Sequence, residues 1–236
     1  LKNSFHGRTV TTLSATGQDC FHQEFGPFTP GFVYADTENP DSLETLAAAG
    51  NVCAIMFEAI QGEGGVIPLS EDFVRAIKST AEKYSLLLIA DEIQWGNGRS
   101  GKLCAYMNFD IKPDIVTSAK GLAAGLPLGV TLFGEKVENV YTPGTHGSTF
   151  GGNPVCASAA LSVLSRIDDK LLNEVTEKGN YIVKELNNSS GIAEITGLGL
   201  MLRIKTEKNV KDVINNCMEQ GVLVLSAKSK LRLLPP

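Results

Sequence analysis

Four short apolar segments, separated by helical or loop segments, constrain the fold of this chain more than any other feature. They are residues 53–60, 86–93, 114–119 and 130–133. Between the first two, residues 70–84 predict a helix with Ser70 as its N-cap residue and with Phe73 and Ile77 on one face. Apolar runs without regular alternation are typical of strands buried on both faces. Such strands, alternating with helices, predict a mostly parallel α/β sheet.

The flanking sequences predict less regular structure and a second, smaller domain. Residues 1–40 are rich in Gly, Pro, Thr and Phe and predict irregular structure with short strands, followed by a short helix at 43–50. The later patterns predict helices at 154–167, 168–187 and 210–220 and strands at 192–204, 222–225 and 231–233. We therefore expect a large domain over residues 1–167 and part of a small α+β domain over 168–236.

Composition excludes several classes of function. Among the 236 residues, 21 are Lys or Arg and 26 are Asp or Glu, which gives a net charge of −5 without a basic block and disfavours nucleic-acid binding. A membrane-spanning helix needs about 20 consecutive apolar residues, and the apolar runs of this chain are far shorter. The five cysteines and three histidines are scattered, so no metal site is expected. An odd cysteine count without a signal-like segment favours reduced thiols and a cytoplasmic location.

Charged side chains follow three of the predicted strands where each strand ends. Glu58 closes the first strand, Asp91 closes the second, and Lys120 follows the third. Because ligands of open α/β sheets bind beyond the carboxyl ends of the strands, these residues predict a ligand or cofactor site there. Strand caps or structural ion pairs at the same positions remain the alternative.

One near-match to a nucleotide-binding motif does not fit. Gly96, Gly101 and Lys102 have P-loop spacing, but Leu103 stands where a Ser or Thr would hold Mg²⁺. The acidic strand also precedes this loop instead of following it. We therefore do not expect nucleotide hydrolysis.

Seven short motifs, in order, resemble one enzyme family across essentially the whole chain. They are FHGRT (5–9), EAIQGEGG (58–65), DEIQ (91–94), GRSG (98–101), PDI (113–115), AKG (119–121) and GSTFGGNP (147–154). Together they resemble the class III aminotransferases, which depend on pyridoxal 5′-phosphate. The resemblance implies fold type I, with a mostly parallel, seven-stranded-type sheet flanked by helices in the large domain.

The resemblance also implies roles for residues around the cofactor. Lys120 would bind it covalently and then act as general base and acid. Asp91 would pair with the ring nitrogen, and Gln94 would lie near the phenolic oxygen. Phe5 would stack on the ring. Thr149 would bind the cofactor phosphate of the neighbouring subunit, since the family places its site at a homodimer interface.

For substrates, the resemblance implies two arginines and two glutamates. Arg8 and Arg232 would bind carboxylates, because a guanidinium can donate two parallel hydrogen bonds to one carboxylate. Glu63 would pair with Arg232 until a dicarboxylate displaces it. Glu58 would lie at the cofactor edge and help to position Gln94.

The implied reaction is transamination of N2-acetylornithine with 2-oxoglutarate, as in arginine biosynthesis. Ornithine, succinylornithine and 4-aminobutyrate remain alternative donors, and an inactive truncated remnant is a further alternative. Ala59 and Trp95 depart from the family pattern, and the ring of Trp95 is expected near the cofactor. The resemblance does not include the family's N-terminal phosphate-binding loop or the end of its small domain. We therefore expect the chain to be a fragment that lacks activity alone.

Overall fold

The computed structural model describes all residues from 1 to 236. Its helices are α1 (Val10–Ala15), α2 (Asp41–Ala48), α3 (Glu71–Tyr84), α4 (Pro154–Leu164), α5 (Asp169–Leu186) and α6 (Val210–Glu219). Its strands are β1 (Ala54–Phe57), β2 (Ile60–Gln61), β3 (Ile67–Pro68), β4 (Leu87–Asp91), β5 (Ile115–Ser118), β6 (Val130–Phe133), β7 (Ile192–Leu198), β8 (Met201–Thr206), β9 (Leu225–Ala227) and β10 (Lys230–Leu233). None of the helices combines the length and apolar character needed to cross a bilayer.

The predicted α/β sheet is confirmed. Its four strands lie in the order β1-β4-β5-β6. The β1–β4 and β4–β5 pairs are parallel, and β6 is antiparallel to β5. The family resemblance implied a seven-stranded type of sheet, and this chain contributes four strands to it. Parallel pairing places the carboxyl ends of β1, β4 and β5 at one edge.

Helix α3 packs the main core against this sheet. The Ser70 hydroxyl accepts a hydrogen bond from the Phe73 backbone N–H at 3.2 Å, so the predicted N-cap is formed. Phe73 and Ile77 are fully buried and belong to a cluster of 22 buried residues. Burial of each such side chain contributes about 1.5–3 kcal/mol to the free energy of folding. This packing stabilises the sheet whose strand ends carry the charged residues.

The C-terminal part forms a second, antiparallel sheet in the order β7-β8-β10-β9. The single predicted strand at 192–204 is a hairpin, because Gly199, at φ +54°, turns the chain between β7 and β8. The strand predicted at 222–225 is wrong: residues 222–224 are not in a strand, and β9 begins at Leu225. The domain boundary between residues 167 and 168 stays a prediction.

The short strands predicted within residues 1–40 are wrong. This segment contains α1 and one 3-10 turn over Asp19–Phe21, but no strand. Thr9 and Thr12 form a reciprocal capping box, with the Thr9 N–H donating to Thr12 Oγ1 at 3.1 Å, and helix α1 begins there.

Candidate functional site

Three adjacent parallel strands bring the predicted strand-end residues to one edge of the large sheet. Glu58 directly follows β1, Asp91 is the last residue of β4, and Lys120 lies two residues after β5. Asp91 is paired in register with Thr117 of β5. The sheet therefore provides two carboxylates and an amine on neighbouring strands, as the sequence predicted.

Asp91 is buried and tightly held. One carboxylate oxygen, Oδ2, lies 2.8 Å from Nδ1 of His6, and both residues are 5% exposed. The other oxygen accepts hydrogen bonds from the Ile93 N–H at 3.1 Å and from the Thr117 hydroxyl at 3.4 Å. The backbone N–H of His6 donates to Thr16 Oγ1 at 3.0 Å, and Nε2 of His6 is buried without a partner. This network fixes the orientation of the Asp91 carboxylate.

Sequence reasoning missed His6, which lies 85 positions from its partner. The only available signal was its place in the FHGRT motif, between two residues that had been assigned roles. Asp91 and His6 together make the most buried polar pair at this edge of the sheet.

The Glu58 carboxylate holds the backbone on both sides of the site. It accepts hydrogen bonds from the Phe5 N–H at 2.8 Å and from the Gly62 N–H at 3.1 Å. Burial raises the pKa of Glu58 to about 8, despite these two hydrogen bonds. Glu58 makes no hydrogen bond to Gln94, the residue that it was expected to help position. Glu58 instead positions the backbone of Phe5.

Gln94, Glu63 and Arg232 form a hydrogen-bonded row. Oε1 of Glu63 accepts from Nη1 of Arg232 at 2.8 Å and from Nε2 of Gln94 at 3.0 Å. Burial acts to raise the pKa of Glu63. The hydrogen bonds from Arg232 and Gln94 and the charges of Arg232 and Lys120 outweigh this effect and hold the pKa below its usual value. The predicted Glu63–Arg232 pair is therefore present, and Nε of Arg232 is buried without a partner.

Gly62 allows Gln94 to reach this row. A Cβ atom at position 62 would lie 1.5 Å from Oε1 of Gln94, so no other residue fits without moving that side chain. Packing against Gln94 therefore explains why the first glycine of the EAIQGEGG motif stands at position 62.

Phe5 and Arg8 lie together at the rim. The Arg8 guanidinium lies 5.7 Å from the centre of the Phe5 ring and 5.3 Å from that of Phe21. Phe5 and Phe21 meet edge to face at 5.2 Å. Arg8 is exposed and makes no ion pair in this arrangement, so its guanidinium is free to bind an anion.

Lys120 opens onto a cavity. With Gln94, it lines a space of about 510 Å³ that also reaches Arg166 and Met201. Lys120 is exposed, and its backbone is left-handed, with φ +51°. The amine is thus accessible to a small molecule between the large sheet and the C-terminal part.

Thr149 and Trp95 differ from the other predicted residues. Thr149 is exposed, in the loop between β6 and α4, and its side chain makes no hydrogen bond. Trp95, expected near the cofactor, is 1% exposed and packs in the main hydrophobic core. Its size is therefore accommodated within the core.

Glu92 is a second residue that sequence reasoning left without a role. It is fully buried, and its carboxylate accepts hydrogen bonds from the backbone N–H groups of Ala105 at 2.7 Å and Tyr106 at 2.9 Å. Burial raises its pKa to about 7. Glu92, the residue after Asp91, therefore holds the backbone of Ala105 and Tyr106, which follow the Gly96–Gly101 loop.

Comparison with known proteins agrees with this geometry. The family model Aminotransferase class-III matches residues 1–236. The chain is 48% identical to an acetylornithine aminotransferase of Haemophilus ducreyi and 45% identical to one of Aquifex aeolicus. It is matched over its whole length in both alignments and spans 61% and 62% of those proteins, respectively.

Solved structures show the same fold. An ornithine aminotransferase from Toxoplasma gondii, 34% identical, superposes with a TM-score of 0.92 over 100% of this chain and 58% of its own. A transaminase from the marine bacterium Virgibacillus, 27% identical, superposes with a TM-score of 0.91 over 100% of this chain and 62% of its own. These matches cover both sheets. The chain belongs to the class III aminotransferase family.

Proposed function

We propose that the protein is a pyridoxal 5′-phosphate-dependent aminotransferase. Its substrates are N2-acetylornithine and 2-oxoglutarate, and its products are N-acetylglutamate 5-semialdehyde and glutamate. The observation that carries this proposal is the placement of the held Asp91 carboxylate and the accessible Lys120 amine at the ends of adjacent parallel strands. The names of the relatives support the choice of amino donor.

The residues at the strand ends fit this cofactor. Asp91 is a buried carboxylate with a fixed orientation, which suits a protonated ring nitrogen. Lys120 faces a cavity large enough for a small molecule, and Gln94 lies beside it. Phe5 supplies an aromatic ring at the rim. When bound, the cofactor supplies an electron sink for the carbon that carries the reacting amino group.

The residues of this chain then perform four tasks. Asp91 holds a proton on the cofactor ring nitrogen, and His6 holds Asp91. The Lys120 amine takes up and returns the proton at the substrate carbon that bears the amino group. Glu58 fixes the backbone of Phe5, so that the aromatic ring stays at the rim. The buried surroundings of Asp91 exclude water from its carboxylate.

Substrate exchange is assigned to the Glu63–Arg232 pair. A donor with a neutral tail leaves this pair intact, whereas glutamate brings a second carboxylate that competes for Arg232. Glu63→Ala removes the competitor and is expected to tighten glutamate binding by about tenfold. Glu135→Ala, at an exposed position without an ion pair, is the matched control. Unchanged glutamate kinetics in Glu63→Ala would contradict the exchange.

Ornithine is the second candidate donor, because the superposed Toxoplasma gondii structure is an ornithine aminotransferase. Single-turnover rates with N2-acetylornithine, ornithine, succinylornithine and 4-aminobutyrate separate these activities. A faster single-turnover reaction with ornithine than with N2-acetylornithine would replace the proposed donor.

We also propose a cytoplasmic homodimer. Thr149 is exposed and its side chain makes no hydrogen bond within its own chain, which suits a role at the partner's cofactor phosphate. All five cysteines are free thiols, which suits a reducing compartment.

Reductive trapping tests the proposed function directly. The protein is mixed with pyridoxal 5′-phosphate, reduced with borohydride and mapped by mass spectrometry. We expect one adduct at Lys120 and none in Lys120→Ala, with Lys102→Ala, an exposed lysine, as the control. The absence of an adduct, or adducts spread over surface lysines, would contradict the proposal.

A further inference from the structure

The backbone around Lys120 is held by a side chain from a neighbouring loop. Asn97 lies in the loop after β4, and its Nδ2 donates a hydrogen bond to the Ala119 carbonyl oxygen at 3.2 Å. That carbonyl belongs to the peptide group that joins Ala119 to Lys120. The Asn97 Nδ2 atom also lies close to Gly121, the residue after Lys120. It is 4.0 Å from the position that a Cβ atom at residue 121 would occupy.

The Lys120 backbone needs such support. Its φ of +51° is left-handed, a conformation that a lysine rarely adopts and that persists only where surrounding contacts impose it. The Asn97 bond is the side-chain hydrogen bond that reaches this stretch.

Asn97 is itself held in place from both sides. The Gly96 N–H donates to the Glu92 carbonyl oxygen at 2.8 Å, which ties the loop to the end of β4. On the other side, the Leu200 N–H donates to the Arg99 carbonyl oxygen at 3.0 Å, and Arg99 Nη1 donates back to the Leu200 carbonyl oxygen at 3.2 Å. The amide is thus presented from a loop anchored to both sheets.

We propose that Asn97 is a positioning residue for Lys120. By holding the Ala119 carbonyl, it keeps the Lys120 backbone left-handed and its amine directed into the cavity that Asn97 and Lys120 line together. This inference rests on the proposed function, in which the Lys120 amine is the group that reacts. The inference adds that the loop after β4, which contains Asn97, must be in place before the Lys120 amine can react.

Two substitutions separate the side chain from the backbone. Asn97 has φ +58°, so Asn97→Gly keeps the loop conformation without strain and removes only the amide. Asn97→Asp keeps the shape but has no N–H to donate. Asn108→Ala is the matched control, because Asn108 donates to Ser100 Oγ at 3.0 Å and the Ala105 carbonyl oxygen at 3.1 Å, near the loop but away from Lys120.

Two measurements are compared in each variant. The first is the rate at which pyridoxal 5′-phosphate forms an adduct at Lys120, followed by borohydride trapping. The second is the affinity for pyridoxine 5′-phosphate, which lacks the aldehyde and binds without a covalent bond. We expect both Asn97 variants to form the adduct about five- to tenfold more slowly, the change expected for one lost hydrogen bond. The affinity for pyridoxine 5′-phosphate should stay unchanged.

Each other outcome overturns the inference. Adduct formation at the wild-type rate in Asn97→Gly means that the amide does not position Lys120. Equal slowing in Asn108→Ala, or weaker pyridoxine 5′-phosphate binding, means general damage to the loop. If Asn97→Asp does not fold, Asn97→Gly decides alone. A wild-type protein without an adduct at Lys120 contradicts the proposed function itself, which distinguishes the two failures.

Discussion

At the scale of single residues, the hydrogen bond between His6 and Asp91 is expected to contribute to both stability and cofactor binding. Both side chains are buried, so a carboxylate that loses this partner cannot recover the interaction from water. We expect His6→Leu to lower the free energy of unfolding by about 1–3 kcal/mol and to weaken retention of pyridoxal 5′-phosphate. Urea titration and cofactor fluorescence measure the two effects.

His6→Asn distinguishes hydrogen bonding from packing. The Asn side-chain nitrogen is attached to Cγ, as Nδ1 of His6 is, and it can donate to Asp91 Oδ2. We expect His6→Asn to recover a substantial part of both losses. If His6→Asn is as impaired as His6→Leu, the hydrogen bond is not what His6 contributes.

Glu58 makes stability depend on pH. The unfolded carboxyl releases its proton near the usual value of 4.5, whereas burial raises the pKa of folded Glu58 to about 8. Between these values the folded state binds more protons, so stability falls as the pH rises, by up to about 1.4 kcal/mol per pH unit. We expect the free energy of unfolding of Glu58→Gln to depend less on pH from 5 to 8, measured by urea titration.

Glu92 contributes a slope of the same sign, because burial raises its pKa to about 7. Glu58→Gln should therefore flatten the profile without abolishing the slope. Glu135→Gln, an exposed carboxyl, should keep the wild-type slope. A Glu58→Gln profile that parallels the wild type would show that Glu58 is already ionised in the folded protein.

Residue identity in the motifs predicts part of the site. Asp91, Lys120 and the Glu63–Arg232 pair follow from strand ends and from the family resemblance, because those signals lie in short stretches of sequence. The contacts of His6 and Asn97 do not follow, since each depends on one hydrogen bond between distant segments.

At the scale of elements, the apolar segments predict the large sheet well because burial on both faces leaves a continuous signal. The 192–204 segment predicts a single strand because both strands of the β7–β8 hairpin contain apolar residues, and only Gly197 and Gly199 interrupt them. The failed prediction over 222–225 has the same origin: an apolar composition does not report whether a segment is paired. Leu223 is in fact 86% exposed.

The β7–β8 turn also connects the two sheets, and Gly199 makes that contact possible. A Cβ there would lie 2.5 Å from the Arg99 carbonyl oxygen, at a φ of +54°. Gly191 also has a positive φ, of +86°, but has open space around it. We expect Gly191→Ala to cost about 1 kcal/mol of unfolding free energy and Gly199→Ala at least about twice that.

The difference between these two alanine variants isolates the close approach, because both carry the penalty for a positive φ. Urea titration of each variant gives the comparison. Gly199→Ala is also expected to slow adduct formation at Lys120, because the added methyl group would displace Arg99, and the loop after β4 that contains Arg99 also contains Asn97. Equal losses of stability would show that the turn does not need to approach Arg99 closely.

At the scale of the whole molecule, several exposed apolar side chains lie in α4 and in the residues just before it. Phe150 is 82% exposed, Val155 is 66% exposed and Leu161 is 70% exposed, all in α4 or just before it. Thr149 adjoins Phe150. Large exposed apolar groups close together are typical of surfaces that bind another protein, and here the proposed partner is a second copy of the chain.

A charge on this face should therefore separate the subunits. In a symmetric dimer, Leu161→Glu introduces two carboxylates at the interface, one from each subunit, and neither has a basic partner supplied by α4, which contains no charged residue. We expect the dissociation constant to rise at least about tenfold, measured by sedimentation velocity over a concentration series. The yield of the adduct at Lys120 should fall in parallel if Thr149 completes the partner's phosphate site. Leu223→Glu, at a still more exposed leucine in the C-terminal part, should leave both readouts unchanged. If Leu161→Glu remains a dimer of wild-type affinity, α4 is not the interface, and the role of Thr149 in a shared site fails with it.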